Sequence, residues 1–95
     1  MPSRLIFYRK NVGADGDIVE MKIWEVLRAG KTPEGLKYSL VYVRQGKRLI
    51  GYDKGEGKGH HRHMGNVEVL YSFGDVDRLI ADFLADVEKI RREKT

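Results

Sequence analysis

Residues 17–28 read DIVEMKIWEVLR, and the fold turns on whether they form a strand or a helix. Val19, Met21, Ile23 and Leu27 alternate with Glu20, Lys22 and Trp24, the period of two that a half-buried strand requires; Glu25 interrupts it, and composition alone would permit a helix. The β-branched residues Ile18, Val19, Ile23 and Val26 favour the strand, where their stiff side chains pack on a pleated surface. Residues 11–16, NVGADG, precede the segment as a turn cluster closing on Asp-Gly. These features predict a strand over 17–28, joined by a hairpin to a first strand over about 4–9, RLIFYR.

Downstream of it the pattern is more regular. Residues 29–35, AGKTPEG, form a polar loop, and 36–44, LKYSLVYVR, alternate Leu36, Tyr38, Leu40 and Tyr42 with Lys37, Ser39, Val41 and Val43. Gln45-Gly46 makes a tight turn into a strand over 47–53, KRLIGYD, and a last short strand falls at 67–71, VEVLY. Between them, residues 54–65, KGEGKGHHRHMG, hold four glycines in twelve positions, which predicts a long exposed loop of the kind that tends to carry function. A helix is predicted over 75–92, because Val76, Leu79, Ile80, Phe83, Leu84, Val87 and Ile90 recur at spacings of three and four. Its N-cap is either Ser72, with Asp75 three residues on, or Asp75 itself, and Lys89, Arg91, Arg92 and Lys94 suit its C-terminal end. The expected fold is α+β: one domain over 1–95, an antiparallel sheet of four to five strands with one C-terminal helix packed on it.

Ninety-five residues allow a single core, so any site must lie on the surface of the sheet or in a loop rather than between domains. With no cysteine, disulfides, Cys-ligated metal centres and thiol catalysis are excluded. The stretch MPSRLIFYRK has only a short apolar patch, LIFY, too short for a signal peptide or a membrane span, so the expected location is the cytoplasm, with no membrane partner. The net charge of +4 is unevenly spread: residues 1–65 carry 13 basic and 7 acidic groups, residues 66–95 carry 5 and 7. Six cations (Arg44, Lys47, Arg48, Lys54, Lys58 and Arg62) and all three histidines lie within residues 44–63, where an anionic ligand would be drawn.

Three roles fit that segment. In the first, it cleaves RNA without a cofactor: a histidine takes the 2′-hydroxyl proton, another protonates the leaving oxygen, and a cation holds the phosphate. An extended backbone over 59–63 puts His61 and His63 on one side and His60 and Arg62 on the other. His60, His61 and His63 are then the acid–base candidates, and Asp53 orients a histidine. Lys54, Lys58, Arg62, Arg44, Lys47, Arg48 and Tyr52 are the candidates for binding nucleic acid. In the second role, His61 and His63, with Asp53 as a third donor, hold a divalent metal ion. In the third, the histidines sit in solvent or bond to backbone. The glycines at 55, 57 and 59 are not a dinucleotide fingerprint, since the third glycine of that motif and a βαβ context are both missing. Tyr38, Tyr42 and Tyr52 form either a base-stacking platform or, as such stripes more often do, core packing under the helix; Trp24 poses the same choice.

The order of DGDIVEMKIWEV, LKYSLVYV, a strand ending in YDK, GKGHHRHMG, VEVLYSF and DVDRLIADFLADVEKI resembles the TumE-type toxin family of toxin–antitoxin modules, a domain of unknown function, over residues 5–90. Its most specific part is Tyr52-Asp53 followed by the glycine-rich turn and HHRH. The family's triplet is of YDN type, and Lys54 here replaces the amide with a cation. The resemblance implies a small toxin neutralised by a helix-turn-helix antitoxin. Toxins of such modules are commonly ribonucleases, so RNA is the implied substrate. The alternatives are a non-catalytic protein whose basic loop docks nucleic acid or an acidic antitoxin surface, and a module that pairs into a homodimer through an exposed edge strand.

Overall fold

A computed structural model describes residues 3–28, 30, 32–54 and 59–93. Residues 17–28 supply a strand: β1 (Arg4–Val12) and β2 (Ile18–Glu25) form a hairpin, closed by a turn in which the Gly13 N–H donates to the Asp17 carbonyl at 2.8 Å and Gly16 takes a φ of 82°. The alternation is obeyed in β2. Val19, Met21 and Ile23 are buried on one face, while Ile18, Glu20, Lys22 and Trp24 are half-buried on the other. Next come β3 (Leu36–Arg44) and β4 (Lys47–Lys54), whose two-residue turn, Gln45 and Gly46, has φ of 53° and 74°, matching the right-handed twist of the flanking strands.

The sheet has six strands in the order of the sequence, each antiparallel to the next, rather than four to five. The added strand is β5 (His61–Met64), within the segment expected to be an irregular loop; it hairpins through Gly65 (φ 61°) into β6 (Val67–Leu70). The glycines of that segment lie at its two ends, so residues 60–64 are free of them and can pair with β4. Residues 55–58, at the start of the same segment, lie outside the described residues.

A single helix, α1 (Val76–Glu93), packs across one face of the sheet. Asp75 is its N-cap: its carboxylate accepts from the Arg78 N–H at 2.8 Å. Leu79, Phe83 and Val87 are fully buried against Val19, Met21, Ile23, Tyr38, Leu40, Tyr42, Ile50 and Tyr52. The tyrosine stripe is therefore core. Each core tyrosine sends its hydroxyl to a polar group at the rim: Tyr52 donates to Asp86 at 2.5 Å and Tyr42 to Asp17 at 2.7 Å, while Tyr38 meets His60 at 2.8 Å. Burial, followed by the Asp86 bond, raises the Tyr52 hydroxyl far above its ordinary pKa, so it remains a donor.

The opposite face of the sheet is left uncovered among the described elements. Its residues follow from the register, which sets Tyr8, Lys22, Ser39, Asp53, His61 and Leu70 in one row across the six strands. Lys10, Glu20, Val41, Gly51, His63 and Glu68 make the next row.

Candidate active site on the uncovered sheet face

Pairing of β5 with β4 and β6 fixes the direction of each histidine. His61 and His63 project from the uncovered face, and His60 and Arg62 turn toward the helix side, as an extended backbone dictates. His61 Nδ1 lies 2.8 Å from Glu68 Oε2, and His63 Nε2 lies 3.2 Å from Asp53 Oδ2. Both are ion-pair contacts, charged when the ring is protonated, and neither is aligned as a hydrogen bond. His61 Nε2 and His63 Nδ1 are the ring nitrogens not engaged by those carboxylates. The ring centroids are 6.5 Å apart. Both carboxylates act diagonally: Asp53 stands opposite His61 yet pairs with His63, and Glu68 stands opposite His63 yet pairs with His61. The result is two carboxylate-braced imidazoles side by side, 24% and 17% exposed.

Beside them lies Arg48. A Cβ at Gly51 would stand 3.1 Å from Arg48 Cδ and 3.3 Å from its Nε and Nη1. The guanidinium therefore lies across the notch left by glycine, on the strand position paired with His63. A guanidinium next to two imidazoles suits a phosphate.

This chain matches, over residues 3–91, the model of the family described as Toxin TumE. It belongs to the TumE toxin family. No curated protein and no solved structure matches it. Membership of a toxin family implies an antitoxin partner. No helix among the described residues is long and apolar enough to cross a membrane.

The other residues singled out in this TumE-family sequence are placed elsewhere. His60 stacks on Phe73 at 4.8 Å and on Tyr38 at 5.6 Å; its Nε2–H donates to Glu34 at 3.1 Å, and in the neutral ring Nδ1 accepts from the Tyr38 hydroxyl. Burial opposes ionisation of Glu34, but the His60 bond and its own backbone outweigh it, and the carboxyl is held below its ordinary value. Arg62 makes two hydrogen bonds to Asp86, at 2.8 and 3.0 Å, and so ties β5 to the helix. Arg44 donates to the Tyr42 hydroxyl at 2.7 Å. Lys54 is 4% exposed on the helix side, and Tyr52 is 1% exposed, its ring edge-on to Tyr71 and Phe83, which removes it as a stacking surface for a base. Lys47 lies at the exposed β3–β4 turn, and Lys58 is outside the described residues. Among the described cations named from sequence, Arg48 is the one that shares a face with both histidines.

Among the described residues, no group of three or more His, Asp or Glu side chains is arranged to hold a metal ion. His61 and His63 each turn one nitrogen to its own carboxylate, so the third donor that Asp53 was expected to supply is instead paired with His63. Glu68 was missed by the sequence reading. Its signal was its place in VEVL, an acidic residue on an otherwise apolar strand five residues beyond the last histidine of HHRHM.

Proposed function

We propose that this TumE-family chain is a ribonuclease toxin that cleaves RNA by acid–base chemistry at His61 and His63. The observation that supports this best is the pair of carboxylate-braced imidazoles, 6.5 Å apart on an open face with Arg48 alongside. On each ring the nitrogen not engaged by its carboxylate is the one a phosphodiester between them would meet, at the ~2.6–3.2 Å that proton transfer needs.

In this mechanism the neutral imidazole takes the 2′-hydroxyl proton and the 2′-oxygen attacks phosphorus. The bond from phosphorus to the 5′-oxygen breaks, and the protonated imidazole gives its proton to that oxygen. The products are a 2′,3′-cyclic phosphate and a 5′-hydroxyl, and the two rings end with their protonation states exchanged. Arg48 neutralises the charge that builds on the phosphoryl oxygens. Asp53 and Glu68 are positioning residues: they fix the tautomer and orientation of the rings and stabilise each imidazolium as it forms. His60 keeps a packing role on the other side of the sheet. RNA as substrate places the chain in the cytoplasm, and a helix-turn-helix antitoxin, the partner the family resemblance implies, would hold it silent.

The test is incubation of purified protein with total RNA, with and without a chelator, for the native chain and for His61→Ala and His63→Ala. Native protein should cleave equally in both conditions, and each variant should lose ~10²–10⁴-fold in rate, the worth of one positioned proton-transfer group. Intact RNA throughout, or cleavage abolished by the chelator, would overturn the proposal.

A further inference from the structure

The uncovered face continues beyond the dyads across β3, β2 and β1, and it is basic there. Lys22, Lys37 and Lys10 lie on it by register, against Glu20 as the acidic residue of the same stretch. Glu20 is occupied by the Tyr8 hydroxyl at 3.0 Å and the Lys22 ammonium at 4.0 Å. In the same field lies Trp24, the one tryptophan of the chain. It is paired with Lys37 on β3 and Leu5 on β1, alternates with the buried Met21 and Ile23, and so belongs to the face the helix does not cover. A half-buried indole on the open side of the sheet, with Lys37 opposite it and Lys22 two residues along its own strand, lies outside the core.

We infer that this face is a track for single-stranded RNA, with a base stacked on Trp24 and phosphates held by Lys22 and Lys37, leading the chain to the His61/His63 site. The inference rests on the ribonuclease proposal for its direction but not for the binding itself. Strands are about 4.8 Å apart, so Lys22 on β2 lies roughly 14 Å from His61 on β5, a span of a few nucleotides. Single strands are favoured over duplex for a geometric reason. An indole can stack only on an unpaired base, since a duplex buries the faces of its bases and presents phosphates instead. The same requirement keeps the 2′-hydroxyl free to rotate into line for attack at the dyads.

Trp24 makes the test direct, because intrinsic fluorescence reports on this one position. The His61→Ala/His63→Ala variant, which leaves substrate intact, is titrated with an eight-nucleotide oligouridine and with a duplex RNA of the same length. Saturable quenching by the single strand at a concentration at least 10-fold below that needed with duplex supports the track. Anisotropy of a labelled oligouridine then reads the variants. Trp24→Ala should weaken binding about 10-fold or more, the worth of one base–aromatic stack. Trp24→Phe, which keeps a stacking ring and guards against loss of fold, should stay within about threefold of the native affinity on the same grounds. Lys22→Ala and Lys37→Ala should each lower the slope of log affinity against log salt by about 0.7, the value for one phosphate contact on a single strand. Native protein that fails to cleave RNA while these binding results hold would overturn the catalytic proposal and leave the track standing. Absence of quenching, equal quenching by duplex, or oligouridine affinity unchanged in Trp24→Ala would overturn the track.

Discussion

At Gly51 the absence of a side chain decides where Arg48 lies, because a Cβ there would press on three atoms of its side chain. Valine suits a strand, so Gly51→Val should fold with little loss of stability while lifting the guanidinium away from His63. RNA cleavage should fall at least ~10-fold with the melting temperature nearly unchanged, consistent with the loss of a hydrogen bond to a charged group. His60 gives the opposite pattern. His60→Ala leaves Glu34 and the Tyr38 hydroxyl without their partner and should cost about 1–3 kcal/mol in denaturant unfolding, while cleavage per folded molecule stays close to native. Three histidines in one tetrapeptide looked equivalent as composition, and only the parity of an extended backbone divided them into two sides. Which side was open could not be read from HHRH, because that depends on where the helix packs. Glu68 was less legible still: its pairing with His61 depends on the register across the Gly65 turn, which residue types alone do not set.

At the level of elements, β3, β4 and α1 were legible from their periods; the strand expected over 17–28 forms over Ile18–Glu25, with Val19, Met21 and Ile23 buried as its alternation required, while Leu27 lies beyond its end and is exposed. The short strand β5 was not, since its four residues are polar and rest on pairing rather than on a hydrophobic period. Arg62 helps to hold it, reaching across to Asp86 on the helix. Asp86→Ala should therefore remove the acceptor of both Arg62 and Tyr52 and destabilise by about 2–4 kcal/mol, the range for orphaning a partly buried charge and a buried hydroxyl. Hydrogen exchange should then rise first at the amides of β5 and β6. For α1 the anchor is Phe83, fully buried against the sheet and edge-on to Tyr52 of β4. Phe83→Ala should cost ~3–5 kcal/mol, a large share of the ~5–15 kcal/mol available to a small domain.

For the molecule as a whole, the charge has a geometry: Lys10, Lys22, Lys37 and Arg48 stand on the uncovered face, while Arg62 and Arg91 bond acids on the side where the helix packs. The acids that matter for stability are those bridging the layers. A hydrogen bond from Tyr42, reinforced by Arg91 on the helix and opposed by burial, holds the Asp17 carboxyl below its ordinary 3.8, and Glu34 is held below 4.5. A lowered folded-state pKa contributes stability that is complete above the ordinary value and is lost as the pH falls through the folded one. Unfolding midpoints should thus be flat from neutrality down to about pH 4.5 and decline below it, with Asp17→Asn showing lower stability at pH 7 and a shallower acid decline. The central claim for this TumE-family toxin is that His61 and His63 move protons to and from the RNA's own hydroxyl and leaving oxygen. The chemistry of the cut ends tests it most directly. Native protein acting on a defined single-stranded RNA should leave 2′,3′-cyclic phosphate and 5′-hydroxyl termini, and a 2′-deoxy substitution at the cut site should block the reaction. Termini bearing 5′-phosphate and 3′-hydroxyl, or cleavage of the deoxy-substituted strand, would contradict it.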